Sequence, residues 1–174
     1  MKYVYHKVPK NMVGNFLYPL NQLEEILPEI YNQQVKKYFG REFLMEEKIP
    51  MLNCKWNDVL HFAPICPQII SKNLKEIGHQ TDNNKMFFKI PISKFNHKAT
   101  VIFHYTREDA ELLDSEISNL NIEDFEELKE LPIGTKNWYI ECYKNGRSPL
   151  LYHRVPHILT LDSIDISDCE KILW

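Results

Sequence analysis

Val59-Leu60-His61-Phe62-Ala63-Pro64-Ile65-Cys66-Pro67 is the stretch from which the architecture can be worked outward. Asp58 to Phe62 reads as a short buried strand, and Pro64 and Pro67 forbid its extension because proline offers no ladder donor. Pro67 costs nothing in the first turn of a helix, where its missing N–H would be unpaired anyway. Ile69, Ile70, Leu74 and Ile77 then recur at helical spacing until Gly78 closes the run. A strand, a rigid turn and an amphipathic helix therefore occupy about twenty residues.

Upstream, Lys2 to His6 reads as a strand. Pro19 opens a helix carrying Leu20, Leu23, Ile26 and Leu27, Pro28 begins a second segment that Gly40 stops, and Arg41 to Lys48 reads as a further short helix before Pro50. Downstream, His79 to Lys85 is a polar turn, and Met86 to Ile92 and Ala99 to Tyr105 have the β-branched and aromatic content of strands. Trp138 to Tyr143 reads as a strand, Asn145-Gly146 as its hairpin turn and Leu150 to Tyr152 as its partner. His157 to Leu161 is a last core strand, with Ile164 to Ile166 pairing or capping. Helices dominate the first half and strands the second, which predicts an α+β fold, a helical N-terminal half packed on a strand-rich C-terminal half. The length of 174 residues suits one domain, 1–174.

With 44% hydrophobic residues, extended disorder is excluded, and no segment approaches the roughly 18 apolar residues of a membrane span. Met1-Lys2-Tyr3-Val4-Tyr5-His6 lacks the apolar run of a signal peptide, so a cytoplasmic protein with no membrane partner is expected. Cys54, Cys66, Cys142 and Cys169 form no CxxC pair and read as reduced thiols. Residues 107–130 hold ten acids against two bases, a charge of −8 in a chain of net −3, so the remainder stands at +5. The acidic stretch is expected to be helical with a break near Asn119 and Asn121, and the basic remainder can receive a phosphate-bearing ligand.

The five glycines are scattered, so neither a Walker loop nor GxGxxG can be built, and HExxH, GxSxG and kinase signatures are absent. A nucleotide would have to be held by side chains and strand edges. Seven histidines are the stronger signal. His6, His61 and His157 sit in or beside strand runs, where an imidazole can hydrogen-bond a ribose hydroxyl or move a proton near neutral pH. No pair has metal-ligand spacing on a helix, and no metal site is expected. Trp56 and Asn57 precede the strand of His61, an aromatic and an amide able to clasp a flat ring by stacking and hydrogen bonding. Arg147 and Arg154 flank prolines near the C-terminus and can pair bidentately with a diphosphate.

The order of these pieces resembles the ADP-ribosyltransferase superfamily, nearest to its small bacterial DarT-like toxin-type members. Tyr5-His6, followed by Asn11 and Leu17, is similar to the opening strand that meets a ribose. Val59 to Pro67 resembles the middle strand and its proline-framed exit beneath the nicotinamide. Pro156-His157-Ile158-Leu159-Thr160-Leu161-Asp162-Ser163-Ile164-Asp165-Ile166 has the shape of the last part of the pattern. The resemblance implies a split sheet, with NAD as co-substrate and transfer of ADP-ribose to a nucleic-acid or protein acceptor. A toxin or defence effector, met by an antitoxin or regulatory protein, is the biological setting it implies. It assigns His6 to a ribose, His61 and Phe62 to the nicotinamide pocket, and Arg154 to the diphosphate, with Trp56 and Asn57 as further cofactor-binding residues. Where the family usually places its catalytic glutamate stands His157, with Glu141 on the neighbouring strand as substitute. A non-catalytic nucleotide- or partner-binding module that keeps the cleft is the alternative, and acidic helices docking on a basic partner a third reading.

Overall fold

In the computed structural model, which describes residues 1–174, the chain forms fifteen regular elements. These are β1 (Tyr3–Lys7), β2 (Phe16–Leu17), α1 (Leu20–Ile26), α2 (Pro28–Gln34), β3 (Lys48–Ile49), β4 (Cys54–Lys55) and β5 (Leu60–Phe62). They continue as α3 (Pro67–Ile77), β6 (Met86–Pro91), β7 (Thr100–Phe103), β8 (Ile117–Asn119), α4 (Ile133–Lys144), β9 (His157–Thr160), β10 (Ile164–Asp165) and β11 (Glu170–Leu173). The class is α+β with antiparallel sheets.

One sheet has the order β1-β6-β11 and the other β5-β9-β7-β8. They meet where Tyr5 and Ala63 exchange backbone hydrogen bonds of 2.9 and 3.0 Å. That bridge aligns β1 with the end of β5 and brings His6 next to Phe62. β10 pairs with β2, and β3 with β4. The largest apolar core lies between the two sheets, around Val4, Phe62, Phe88, Phe95 and Ile158. A second core gathers α3 and α4 around Ile70, Leu74, Phe87 and Tyr139. Thr100 and Thr160, opposite each other on β7 and β9, satisfy their buried hydroxyls mutually at 2.9 Å.

α3 begins and ends where the sequence predicts. Gly78 is left-handed at φ 109°, and a Cβ there would lie 2.8 Å from the Tyr143 ring, so both backbone and packing demand glycine. The segment after it is corrected in three places. Trp138 to Tyr143 is part of α4, because Thr135, Tyr139 and Cys142 present one buried face at helical spacing. Asn145-Gly146 is accordingly a helix end: Gly146 at φ 63° turns the chain so that the Arg147 N–H reaches the Cys142 carbonyl at 2.8 Å. Leu150 to Tyr152 lies in a turn with no strand partner.

The acidic stretch is not an α-helix. It holds one 3-10 turn, Asp114–Glu116, then β8 and irregular chain. Side chains there bond the local backbone instead: Asn121 accepts from the Glu123 N–H at 3.1 Å and Asp109 from the Glu111 N–H at 3.2 Å. Glu123, Glu126, Glu127 and Glu130 would also repel one another at helical spacing. Nor are helices and strands segregated by chain half, since β1 and β5 enter the two sheets and α4 lies late in the chain.

α1, α2 and the 3-10 turns at Val35–Tyr38 and Glu42–Glu46 form a cover over the sheets that contains no fully buried residue. Asn21 ties it down by donating to Asp58 at 2.6 Å, and Asp58 also accepts from the Lys55 N–H at 2.7 Å. Segments with so little buried surface open at low free energy. Asp58→Ala is therefore expected to speed amide exchange across residues 20–27 by about ten- to a hundredfold, the loss of a charge-assisted bond worth roughly 1.5–3 kcal/mol. Exchange in β6 and β9 should stay at the wild-type rate, and unchanged exchange in α1 would show that Asn21–Asp58 is not the tie.

Candidate functional site

A cleft of about 550 Å³ lies beneath this cover. Its roof is the apolar stripe Leu20, Leu23, Leu27 and Ile30, which faces the cavity where a bundle helix would face a partner. Its floor is Asn57, Val59, Leu60 and His61, and one wall runs from His6 through Val13. Lys7, Lys10, Lys37 and Tyr38 line it, and no lining residue is acidic. Burial pushes the Tyr38 phenol up from its ordinary value.

Two residues on this lining carry unmatched polar atoms. Asn57 is 1% exposed, and neither its amide nitrogen nor its amide oxygen has a hydrogen-bond partner. The Nδ1 of His6 is likewise buried and unpartnered. An unpaired buried polar group costs about 1–3 kcal/mol, and such groups are uncommon in folded chains. A buried side chain with one unpaired donor edge and one unpaired acceptor edge beside a concave site is suited to read an amide-like edge of a ligand once it is uncovered.

The imidazoles form a row. The His61 ring lies 4.3 Å from Trp56 and 6.4 Å from His157. Its Nε2 is 3.1 Å from the Trp56 carbonyl oxygen, so Nε2 carries the proton and Nδ1 is the free acceptor. His157 stands similarly with Nδ1 donating to the Val155 carbonyl at 2.7 Å. It packs among Phe103, Tyr105 and Tyr152. Burial, above all, holds these rings neutral: His6 and His157 fall to about 4 and His61 to about 3. For His61 the adjacent His157 adds to the effect. No group of three histidine, cysteine or acidic side chains is placed to hold a metal ion.

Of the residues singled out in the sequence, His6, Asn57 and His61 come together on the cleft. Trp56 packs against His61 with its ring tilted by 53° and is not on the lining. His157 lies one layer further back and is not on the lining. Phe62 is 1% exposed and belongs to the core, in edge contact with Phe95 at 4.9 Å. Two placements are corrected. Glu141 sits on α4, not on a strand; it is exposed and paired with Arg147 at 3.1 Å. Arg154 adopts φ 58°, packs over Gly134 and pairs with Glu108 at 3.5 Å, and it does not line the cleft. Sequence reading passes over Lys7, Lys10, Lys37 and Tyr38, for which no local pattern exists. The Leu20, Leu23 and Leu27 stripe is visible in the sequence but reads there as core.

The comparisons with known proteins return no matching family model, no matching curated protein and no matching solved structure. No helix is long and apolar enough to cross a membrane.

Proposed function

We propose that this protein binds a nucleotide in the cleft between the helical cover and the two sheets, as a binding module. The observation that carries the reading is the Asn57 amide, buried and unpartnered at both ends on the floor of a cationic cavity. A nucleotide has the parts that fit: a heterocyclic or carboxamide edge for Asn57, a ribose within reach of the His6 imidazole, and apolar ring faces against Leu23 and Leu27. NAD carries both kinds of edge and is the first ligand to test, with Asn57, His6 and His61 as its contacts. The polar atoms of Asn57 are closed from solvent, so a ligand reaches them as the cover moves aside. The cover's lack of buried side chains makes that movement cheap.

NAD-dependent ADP-ribosyl transfer is the second reading, favoured by the adjacency of His6, His61 and His157 in one row. Such transfer gains from a negative charge beside the developing cationic sugar. The cleft lining offers none, and Glu141 is engaged on α4. Binding therefore has the stronger support. Titration calorimetry with NAD, ADP-ribose and AMP, run beside an assay of nicotinamide release, separates the two. Heat of binding without nicotinamide supports the module, nicotinamide release supports transfer, and silence in both overturns both.

Asn57→Leu provides a sharper test. Replacing an unpaired buried amide by an apolar side chain of similar volume is expected to raise stability by roughly 1–3 kcal/mol. The melting temperature should rise by several degrees. Nucleotide affinity should fall by at least about tenfold. A variant that melts lower while binding normally would mark Asn57 as an ordinary structural residue.

A further inference from the structure

We infer that the mouth of the cleft is a phosphate subsite built by Lys7 and Lys37, with Lys10 beside them, and that the ligand meets its phosphate there rather than at Arg154. The inference deepens the nucleotide reading and rests on it for the identity of the ligand, though not for the presence of the anion.

The lysines come from elements thirty residues apart in sequence. Lys7 ends β1, and Lys37 lies in the 3-10 turn after α2. Both line the same cavity, and neither they nor Lys10 takes part in any ion pair. That sets them apart from Lys2, Lys55, Lys89 and Lys94, each of which meets a carboxylate within 3.0 Å. Their approach is fixed by the fold, since Asn11, just beyond Lys10, donates to Gln33 of α2 at 2.7 Å and ties the loop to the cover.

Like charges brought together without a counter-charge repel, and this cavity has no acid to relieve them. Partial burial and then the charge of Lys7 hold the Lys37 amine below the usual lysine range. The charge of Lys37 in turn adds to the burial that keeps His6 neutral. An anion between the two amines removes the repulsion and gains two charge-assisted hydrogen bonds. His6, next in sequence to Lys7, lines the same wall. Phosphate fits better than a carboxylate because its three terminal oxygens can meet amines arriving from separate walls. In a chain with no glycine-built cradle, lysine side chains are the available source of phosphate recognition.

The test is calorimetric titration of the full chain with adenosine, AMP, ADP, NAD and inorganic pyrophosphate, on wild type, Lys7→Gln, Lys37→Gln and the double variant. Lys36→Gln, on the same turn but off the lining, is the control, and melting curves verify that each variant is folded. Affinity is expected to rise from adenosine to ADP, and each cleft substitution to cost about tenfold toward ADP while leaving adenosine unchanged. Raising the salt concentration should weaken ADP and spare adenosine. Equal affinity for adenosine and ADP, or ADP binding untouched by the double substitution, overturns the subsite and leaves the nucleotide reading standing. Pyrophosphate binding that both lysines control, with no nucleoside binding, upholds the subsite and overturns the nucleotide reading. No binding of any of the five overturns both.

Discussion

Between pH 6.5 and pH 4 the protein is expected to lose stability at up to about 4 kcal/mol per pH unit, the combined slope of three imidazoles that are neutral when folded and protonated when unfolded. The native rings of His6 and His157 titrate near 4 and that of His61 near 3, against about 6.5 for an exposed histidine. In this window the unfolded chain binds protons that the folded chain refuses. The stabilisation is therefore complete above the unfolded value and disappears as the pH falls toward the native one. The charges around the row reinforce the effect: Lys7 and Lys37 stand near His6, and His61 has His157 on one side and His6 on the other. Asp109, held near 2 by Arg107, loses its contribution only below this window. Urea melts at pH 7, 6, 5 and 4.5 measure the slope. His61→Phe should flatten it by about 1.4 kcal/mol per pH unit, one proton's worth. A midpoint independent of pH down to 5 would mean that the three rings charge freely in the folded state and are not held neutral by burial.

Phe62→Ala should cost about 3–5 kcal/mol, the usual loss when a buried aromatic is truncated in a well-packed core. The ring is 1% exposed, meets Phe95 edge-on and lies 5.4 Å from His6. Val4, Leu60, Phe88 and Ile158 belong to the same core. A domain's whole stability is only about 5–15 kcal/mol, so the melting temperature should fall by on the order of 10 °C. A Phe62 that lined a ligand pocket would instead weaken binding when truncated and leave the melting temperature nearly alone. Differential scanning calorimetry alongside NAD titration tells these apart, because a core residue moves the first measurement by far more than the second.

The contrast between Phe62 and its neighbour shows how legibility varies along a single strand. Leu60, His61 and Phe62 are equally visible in the sequence as a strand, and alternation along β5 puts Leu60 and Phe62 to one side and His61 to the other. How far each side opens onto the cleft depends on where β1 and the cover come to rest, which is not encoded within β5, and Leu60 touches both core and cleft lining. The misreading of α4 has a related origin. Trp138, Tyr139 and Tyr143 have strand-forming side chains, but the burial of Thr135, Tyr139 and Cys142 against α3 outweighs that local preference. Asn57 stands out in the sequence as an amide before a strand. That both of its polar atoms are unpaired follows only from packing.

Residue order alone determines the parts whose causes are local. Prolines start α2 and α3 because their missing N–H and fixed φ suit a first turn, and Gly78 ends α3 because it alone tolerates the left-handed turn against Tyr143. The scattered glycines likewise exclude a phosphate loop before any coordinates exist. Tertiary structure decides the cleft. The backbone bridge between Tyr5 and Ala63 joins the two sheets, and the tie from Asn21 to Asp58 holds the cover over them. Lys7 and Lys37 become neighbours only across that gap. Repulsion, desolvation and hydrogen-bond pairing depend on separation in space, and residues thirty positions apart acquire one only when the chain has folded.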